Sequence, residues 1–193
     1  VYERVIPYMP EAEAVKKSEE EHEDQLIALI QEERLDYAGS MVLGLNDALV
    51  ELTGALAGFS LAMQNTRLIA VAGLITGIAA SLSMAASQYL SVKTENDDRH
   101  AGKSAIYTGL AYIFTVAILI SPFLLLTSYM LALATTLLLA IAIIFAFNFY
   151  IAVAKNLNFK HRFLEMVVIS LGVSALTFGI GLLVRNYLGI PID

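Results

Sequence analysis

The chain has 193 residues, of which 58% are hydrophobic and only 16% are charged, and its mean hydropathy is +0.68. These values exclude a soluble globular enzyme and a disordered chain. The net charge of −6 excludes the basic surface of a nucleic-acid-binding protein. Because the chain contains no cysteine, disulfides, iron–sulfur clusters and thiolate-bound metals are excluded as well.

Residues 1–36 form a polar, acidic tail, which we expect to be a cytoplasmic unit separate from residues 37–193. Residues 11–37 have the composition of a helix that cannot bury a core of its own. Glu19, His22 and Glu23 lie on one face of that helix, and Glu19-x-x-His22 has the ligand spacing of a ferritin-like di-iron helix. One helix does not make such a site, so we expect these side chains to capture metal only as an acidic surface.

The first residues of the chain also indicate how it begins. Because the first residue is Val and the first 36 residues are polar, the chain does not begin with a secretory signal. We expect it to be a trimmed or truncated chain. On that view the tail is the last helix of a ferritin-like domain, or a remnant of one.

Long uncharged runs predict five transmembrane helices, because a helix crossing the hydrocarbon core needs about 20 mostly apolar residues. Residues 68–92, 104–154 and 166–184 carry no charge, and residues 37–66 carry only Asp47 and Glu51. The longest run has room for two spans, with a turn at 121–122 or at 127–129. The predicted fold is therefore an all-α integral membrane protein with spans near 39–63, 67–91, 104–126, 129–154 and 163–187.

The basic residues predict the orientation, since short loops rich in Lys and Arg stay in the cytoplasm. With five spans, the two termini lie on opposite sides of the membrane. A cytoplasmic N-terminus and an outer C-terminus leave only Arg67 and Arg185, of 12 basic residues, on the outer side. We therefore predict that orientation.

The first predicted span holds two acids near its middle. An acid at the centre of a membrane helix costs roughly 2.5–3.5 kcal/mol to insert, so the pair needs a physical reason. At about 100° per residue, Asp47, Glu51, Gly54 and Gly58 fall on one face of an α-helix. Because Gly-x-x-x-Gly faces let two helix backbones approach closely, we expect the acids to point at another helix and not at lipid.

The second predicted span repeats the pattern with Gly73, Gly77, Met84 and Gln88 on one face. Carboxylates beside a thioether and an amide form a ligand set suited to a divalent metal such as Fe²⁺ or Mn²⁺. Carboxylates also exchange protons. For the glycines alone, ordinary helix packing is an equal alternative.

These segments resemble a known family. The sequences GLNDALVELTGALAG (44–58) and LITGIAASLSMAASQYLSVKTE (74–95) resemble the two signature helices of vacuolar iron transporters, and YTGLAYIFTVAILISPFLL (107–125) resembles their third helix. The sequence closely resembles the prokaryotic branch, in which the transporter can follow a rubrerythrin-like domain. The resemblance implies a homodimer of five-helix chains that exchanges cytoplasmic Fe²⁺ for protons between the two copies of span 1.

The resemblance also implies roles for particular residues. The family's pathway aspartate corresponds to Asp47, and the methionine and glutamate of its second helix correspond to Met84 and position 88. This chain departs from the family at Gln88, because an amide can donate an oxygen to a metal but cannot shuttle a proton at neutral pH. Either Glu51 supplies the exchanging carboxylate, or Gln88 is a substitution that weakens transport.

The loop at 92–103 is too short for the metal-binding insert that eukaryotic members of the family carry. We expect its charged side chains to be solvated, with weak metal binding as the alternative. Most of the tyrosines in a set that includes Tyr112 are expected near the membrane interfaces, and none receives a chemical role. The titratable side chains of the loop are Glu95, Asp97, Asp98 and His100.

The expected function is that of a secondary transporter, and not of an enzyme, that exports Fe²⁺ and also Mn²⁺ in exchange for protons. The metal is its substrate, with no permanently bound cofactor, and its partners are a second copy and the lipid bilayer. The expected location is a prokaryotic plasma membrane. The alternative is a non-transporting membrane module that anchors a ferritin-like iron-oxidising domain.

Overall fold

A computed structural model describes residues 13–19, 22, 38–94, 98–154 and 157–188. The chain divides into two units, Val1–Ala38 and Gly39–Asp193. In the first unit, residues 13–19 and 22 are helical, and the rest of the helix predicted for residues 11–37 lies outside the described residues. In the second unit, five helices are long and apolar enough to cross a membrane within the described residues.

The five helices are numbered here as spans. Span 1 consists of an α-helix at Ala38–Asp47, a π-helical turn at Ala48–Leu52 and an α-helix at Thr53–Met63. Spans 2 to 5 are single α-helices. Their bounds are Thr66–Thr94, Asp98–Leu125, Tyr129–Ala154 and Phe159–Leu188.

The predicted all-α architecture with five spans is confirmed, and the predicted ends agree to within four residues except that the third helix begins at Asp98, six residues before the predicted start. Of the two alternatives for the turn in the longest uncharged run, 127–129 is the better, because the chain leaves helix at 126–128. Helix continues through Pro122, which has no N–H to donate to the carbonyl of Ile118. The hydroxyl of Ser121 donates to that carbonyl instead, at 2.8 Å, so the polar group is satisfied within the membrane.

Spans 1 and 3 supply most of the buried core. Leu49, Leu56, Tyr112 and Leu119 are all fully buried in one continuous cluster. Span 1 packs mainly on span 5, and span 2 packs mainly on span 3. Large apolar side chains on the outer faces of spans 2 to 5 remain exposed, as expected of surfaces that lie against lipid.

A two-residue turn joins spans 1 and 2. Gln64 adopts a left-handed conformation with φ of 50°, and its N–H donates to the carbonyl of Ser60. The side chain of Asn65 accepts hydrogen bonds from the N–H groups of Arg67 and Leu68 and so caps span 2. The two residues of the turn therefore bond both the end of span 1 and the start of span 2.

Gln64→Gly is expected to stabilise the protein by about 0.5–1 kcal/mol, because glycine adopts a positive φ without the clash that a Cβ brings. The measurement is the free energy of unfolding in detergent. Gln64→Ala is the matched control, since alanine removes the same side chain but keeps the Cβ. Equal stability of the two variants would show that backbone strain at Gln64 does not affect the free energy of unfolding.

Candidate metal pathway

The π-helical turn of span 1 carries one of the two predicted acids. Asp47 ends the preceding α-helix, and Glu51 lies inside the turn. The N–H of Thr53 bonds the carbonyl of Val50, three residues back, so the regular α-helical pattern of hydrogen bonds is interrupted here. Such turns within helices occur frequently at functional sites.

Glu51 has a partner in span 3. The phenol of Tyr112 donates a hydrogen bond of 3.0 Å to Oε2 of Glu51, and Tyr112 is fully buried. Tyr112 is therefore a core residue and not one of the tyrosines expected at the interfaces, and it has a polar partner that the sequence analysis did not assign. Span 3 begins at Asp98, and Tyr112 lies nearly four helical turns further along it. This position deep within the span was the sequence signal that could have placed Tyr112 away from the interface.

The two glycines of span 1 face span 5 of the same chain. A Cβ added to Gly54 would lie 2.8 Å from Val173, and one added to Gly58 would lie 3.1 Å from the carbonyl oxygen of Thr177. The prediction that glycines permit a close helix approach is confirmed. The prediction that they share one face with the acids is wrong, because Glu51 contacts span 3 and the π-helical turn changes the angular relation between the two segments.

The inner face of span 2 holds the other predicted residues. Gln88 donates a hydrogen bond of 3.1 Å from Nε2 to the hydroxyl of Ser40 in span 1, and Met84 packs against the buried core. A Cβ added to Gly73 would meet Leu56 of span 1 at 2.7 Å. These two contacts fix an antiparallel register in which residue 88 lies level with 40 and residue 73 lies level with 56.

That register places the four predicted pathway residues in a row. Met84 is level with about residue 44, one turn before Asp47, and Glu51 lies one turn beyond Asp47. From Gln88 at the level of Ser40 to Glu51, the row extends about 16 Å along the helix axis at 1.5 Å per residue. The residues of one chain are therefore spread along the helix axis and do not converge on one coordination sphere. The described residues contain no group of three or more His, Asp or Glu side chains that could hold a metal.

The acids lie on the side of span 1 that its own chain covers least. Leu43 and Glu51 are exposed, and Asp47 and Ala55 are half-buried, at intervals of four residues. On the opposite side, Ala48, Leu49, Leu52 and Leu56 are buried. A single chain thus presents a stripe that contains two carboxylates.

The other predicted capture residues are only partly described by the structure. Glu19 and His22 are exposed helical residues of the first unit, whereas Glu23 lies outside the described residues. Glu95 and Asp97 also lie outside them. Asp98 and His100 are helical, but their side chains lie outside the description.

The five apolar helices define a polytopic α-helical integral membrane protein. Its backbone polar groups are bonded inside the bundle, and its first helix contains a pair of carboxylates. Residues 38–103, which hold spans 1 and 2 and the start of span 3, match the model of the VIT family. The matched family is that of the vacuolar iron transporters, which are membrane metal transporters and not enzymes. A comparison with curated proteins finds no match.

Proposed function

We propose that the protein is a homodimeric secondary transporter that moves Fe²⁺, and also Mn²⁺, out of the cytoplasm in exchange for protons. Its route runs between the two copies of span 1. The observation that carries this proposal is the stripe with Asp47 and Glu51 on the uncovered side of span 1. Exposed to lipid, each acid costs roughly 2.5–3.5 kcal/mol, and a second copy of the same stripe would remove that exposure.

The row of residues suggests the order in which the metal is handled. Metal captured at the acidic cytoplasmic surface passes the level of Gln88 and Met84 before it reaches Asp47 and Glu51. Two copies bring four carboxylates and two thioethers to the middle of the route, and these are suitable ligands for Fe²⁺ and Mn²⁺. Protons that arrive from the far side neutralise the acids, and a protonated carboxyl releases the metal because it is a poor ligand.

Glu51 is the proposed proton-exchanging group, since the family's second-helix glutamate is absent. Its hydrogen bond from Tyr112 holds the carboxylate in one orientation. Gln88 instead supplies an amide that bonds Ser40 at the start of the route. Proton exchange is therefore proposed to take place deeper in the membrane than in relatives that have the glutamate.

Gln88→Glu is expected to raise coupled transport about tenfold, because it restores a positioned carboxylate that exchanges protons, beside a Ser40 hydroxyl able to donate to it. The measurement is Fe²⁺ uptake into proteoliposomes that contain a pH-sensitive dye. The unchanged chain is expected to show slower uptake with a metal-dependent proton flux. Gln88→Leu is the matched control, since it keeps the size of the side chain without an exchangeable proton or a metal-binding oxygen.

The same measurement decides against the proposal if neither the unchanged chain nor Gln88→Glu moves Fe²⁺ or Mn²⁺. That result would favour the membrane module that anchors a ferritin-like domain. Uptake without a matching proton flux would retain a metal transporter but contradict the exchange mechanism.

A further inference from the structure

The carbonyl of Leu49 lies inside the π-helical turn of span 1 and is bonded by a neighbouring helix. The hydroxyl of Ser170, in span 5, donates to this carbonyl at 2.8 Å, and the hydroxyl of Thr53 donates to it as well. The two hydroxyl oxygens lie 3.1 Å apart. Leu49, Thr53 and Ser170 are all buried, so two hydroxyls of the protein bond this carbonyl inside the bundle, away from water.

A second hydroxyl of span 5 bonds span 1 just beyond the turn. Thr177 donates from Oγ1 to the carbonyl of Gly54 at 2.6 Å. Two side chains seven residues apart on span 5 therefore hold the backbone of span 1 on either side of Thr53. Between them, Ser174 is buried, and its hydroxyl has no hydrogen-bond partner among the described residues.

The turn connects this span 5 contact to the acid on the other side. Glu51 is two residues beyond Leu49, and its carboxylate accepts the bond from Tyr112 of span 3. One residue more or fewer in a helical turn rotates the next segment of helix by about 100°. The number of residues in the turn at Leu49 therefore decides where Glu51 points. The Ser170 bond and the Tyr112 bond therefore depend on the same local winding.

We propose that Ser170 is a positioning residue for transport: its bond to the Leu49 carbonyl maintains the π-helical turn and keeps Glu51 against Tyr112. This inference rests on the proposed function for its effect on transport. Its structural content, the coupling of Ser170 to the Glu51–Tyr112 pair, does not require transport. The two parts are therefore tested separately.

Ser170→Ala is expected to lower the maximal rate of Fe²⁺ uptake about tenfold, the factor that corresponds to the loss of one hydrogen bond, and to change KM less than about twofold. Ser170→Thr keeps the hydroxyl and is expected to keep the rate. Ser174→Ala is the matched control. It removes a buried serine hydroxyl one turn away on the same helix, and we expect no loss of rate.

The second readout is the ultraviolet resonance Raman signal of Tyr112 in the purified protein, isolated as the difference from Tyr112→Phe. Ser170→Ala is expected to change this signal to that of a phenol without a carboxylate partner, whereas Ser174→Ala keeps it. Should Ser170→Ala not fold, Ser170→Cys gives the same comparison, since a thiol is a weak donor.

An unchanged Tyr112 signal in a folded Ser170→Ala protein overturns the positioning role. If the Tyr112 signal is lost but the transport rate is unchanged, Ser170 is not important for transport. If the unchanged chain carries no metal, the proposed function fails, but the Raman comparison still decides whether Ser170 positions Glu51.

Discussion

Asp47→Asn is expected to lower Fe²⁺ uptake into proteoliposomes by at least about a hundredfold, the scale of effect expected when a metal loses a ligand or its immediate support. The variant keeps the size of the side chain but removes a negative charge at the middle of the row. In a dimer the change occurs twice, so two of four carboxylates are lost. An amide also binds divalent cations more weakly than a carboxylate and cannot release a metal by taking up a proton.

The measurement compares initial rates at matched protein density, with Mn²⁺ as a second substrate. Glu165→Gln is the matched control, because it makes the same chemical change at an exposed acid of span 5, outside the row. Its uptake is expected to stay within about twofold of the unchanged chain, as for surface positions without a special role. Uptake by Asp47→Asn at the rate of this control would mean that the metal does not pass along span 1.

Gly181→Ala is expected to destabilise the protein by about 2–3 kcal/mol, at the upper end of the cost of overpacking a buried site. A Cβ at Gly181 would overlap the carbonyl oxygen of Gly58, and a backbone atom of a helix cannot move aside as a flexible side chain does. Spans 1 and 5 must therefore separate. That separation also lengthens the bond from Thr177 to Gly54.

Unfolding in detergent measures this effect, with Gly179→Ala as the control. A Cβ at Gly179 would meet nothing within 4 Å, so this change is expected to stabilise span 5 by up to about 1 kcal/mol through helix propensity alone. The two alanine variants should thus shift stability in opposite directions. A shift of the same sign would show that spans 1 and 5 are less closely packed than the structure indicates.

The helical architecture could be predicted from the sequence because length and charge determine what crosses a bilayer. Uncharged runs mark spans 2 to 5, and the run with Asp47 and Glu51 marks span 1. The glycines of spans 1 and 2 could also be predicted as close-packing positions, since a missing side chain permits the same approach in any membrane bundle.

The partners of the site residues could not be predicted in the same way. A uniform helical period places Asp47 and Gly58 on one face, but the π-helical turn between them alters that relation. Nothing in the composition of Ala48–Leu52 indicates such a turn, and the Ser170 hydroxyl that bonds its Leu49 carbonyl lies more than a hundred residues away in the sequence. The depth of Tyr112 within span 3 could be read from the sequence, but its bond to Glu51 could not, since that bond depends on how spans 1 and 3 pack.

The two-residue turn at Gln64 and Asn65 has a consequence for how the protein enters the membrane. Span 1 is the least apolar of the five spans, and its two acids make it costly to insert alone. Span 2 comes directly after it and is free of charge from residue 68 to 92. A turn this short lets both helices enter the bilayer together as a hairpin, in which the apolar second helix offsets the cost of the first. The connection therefore matters during biogenesis, before any metal is carried.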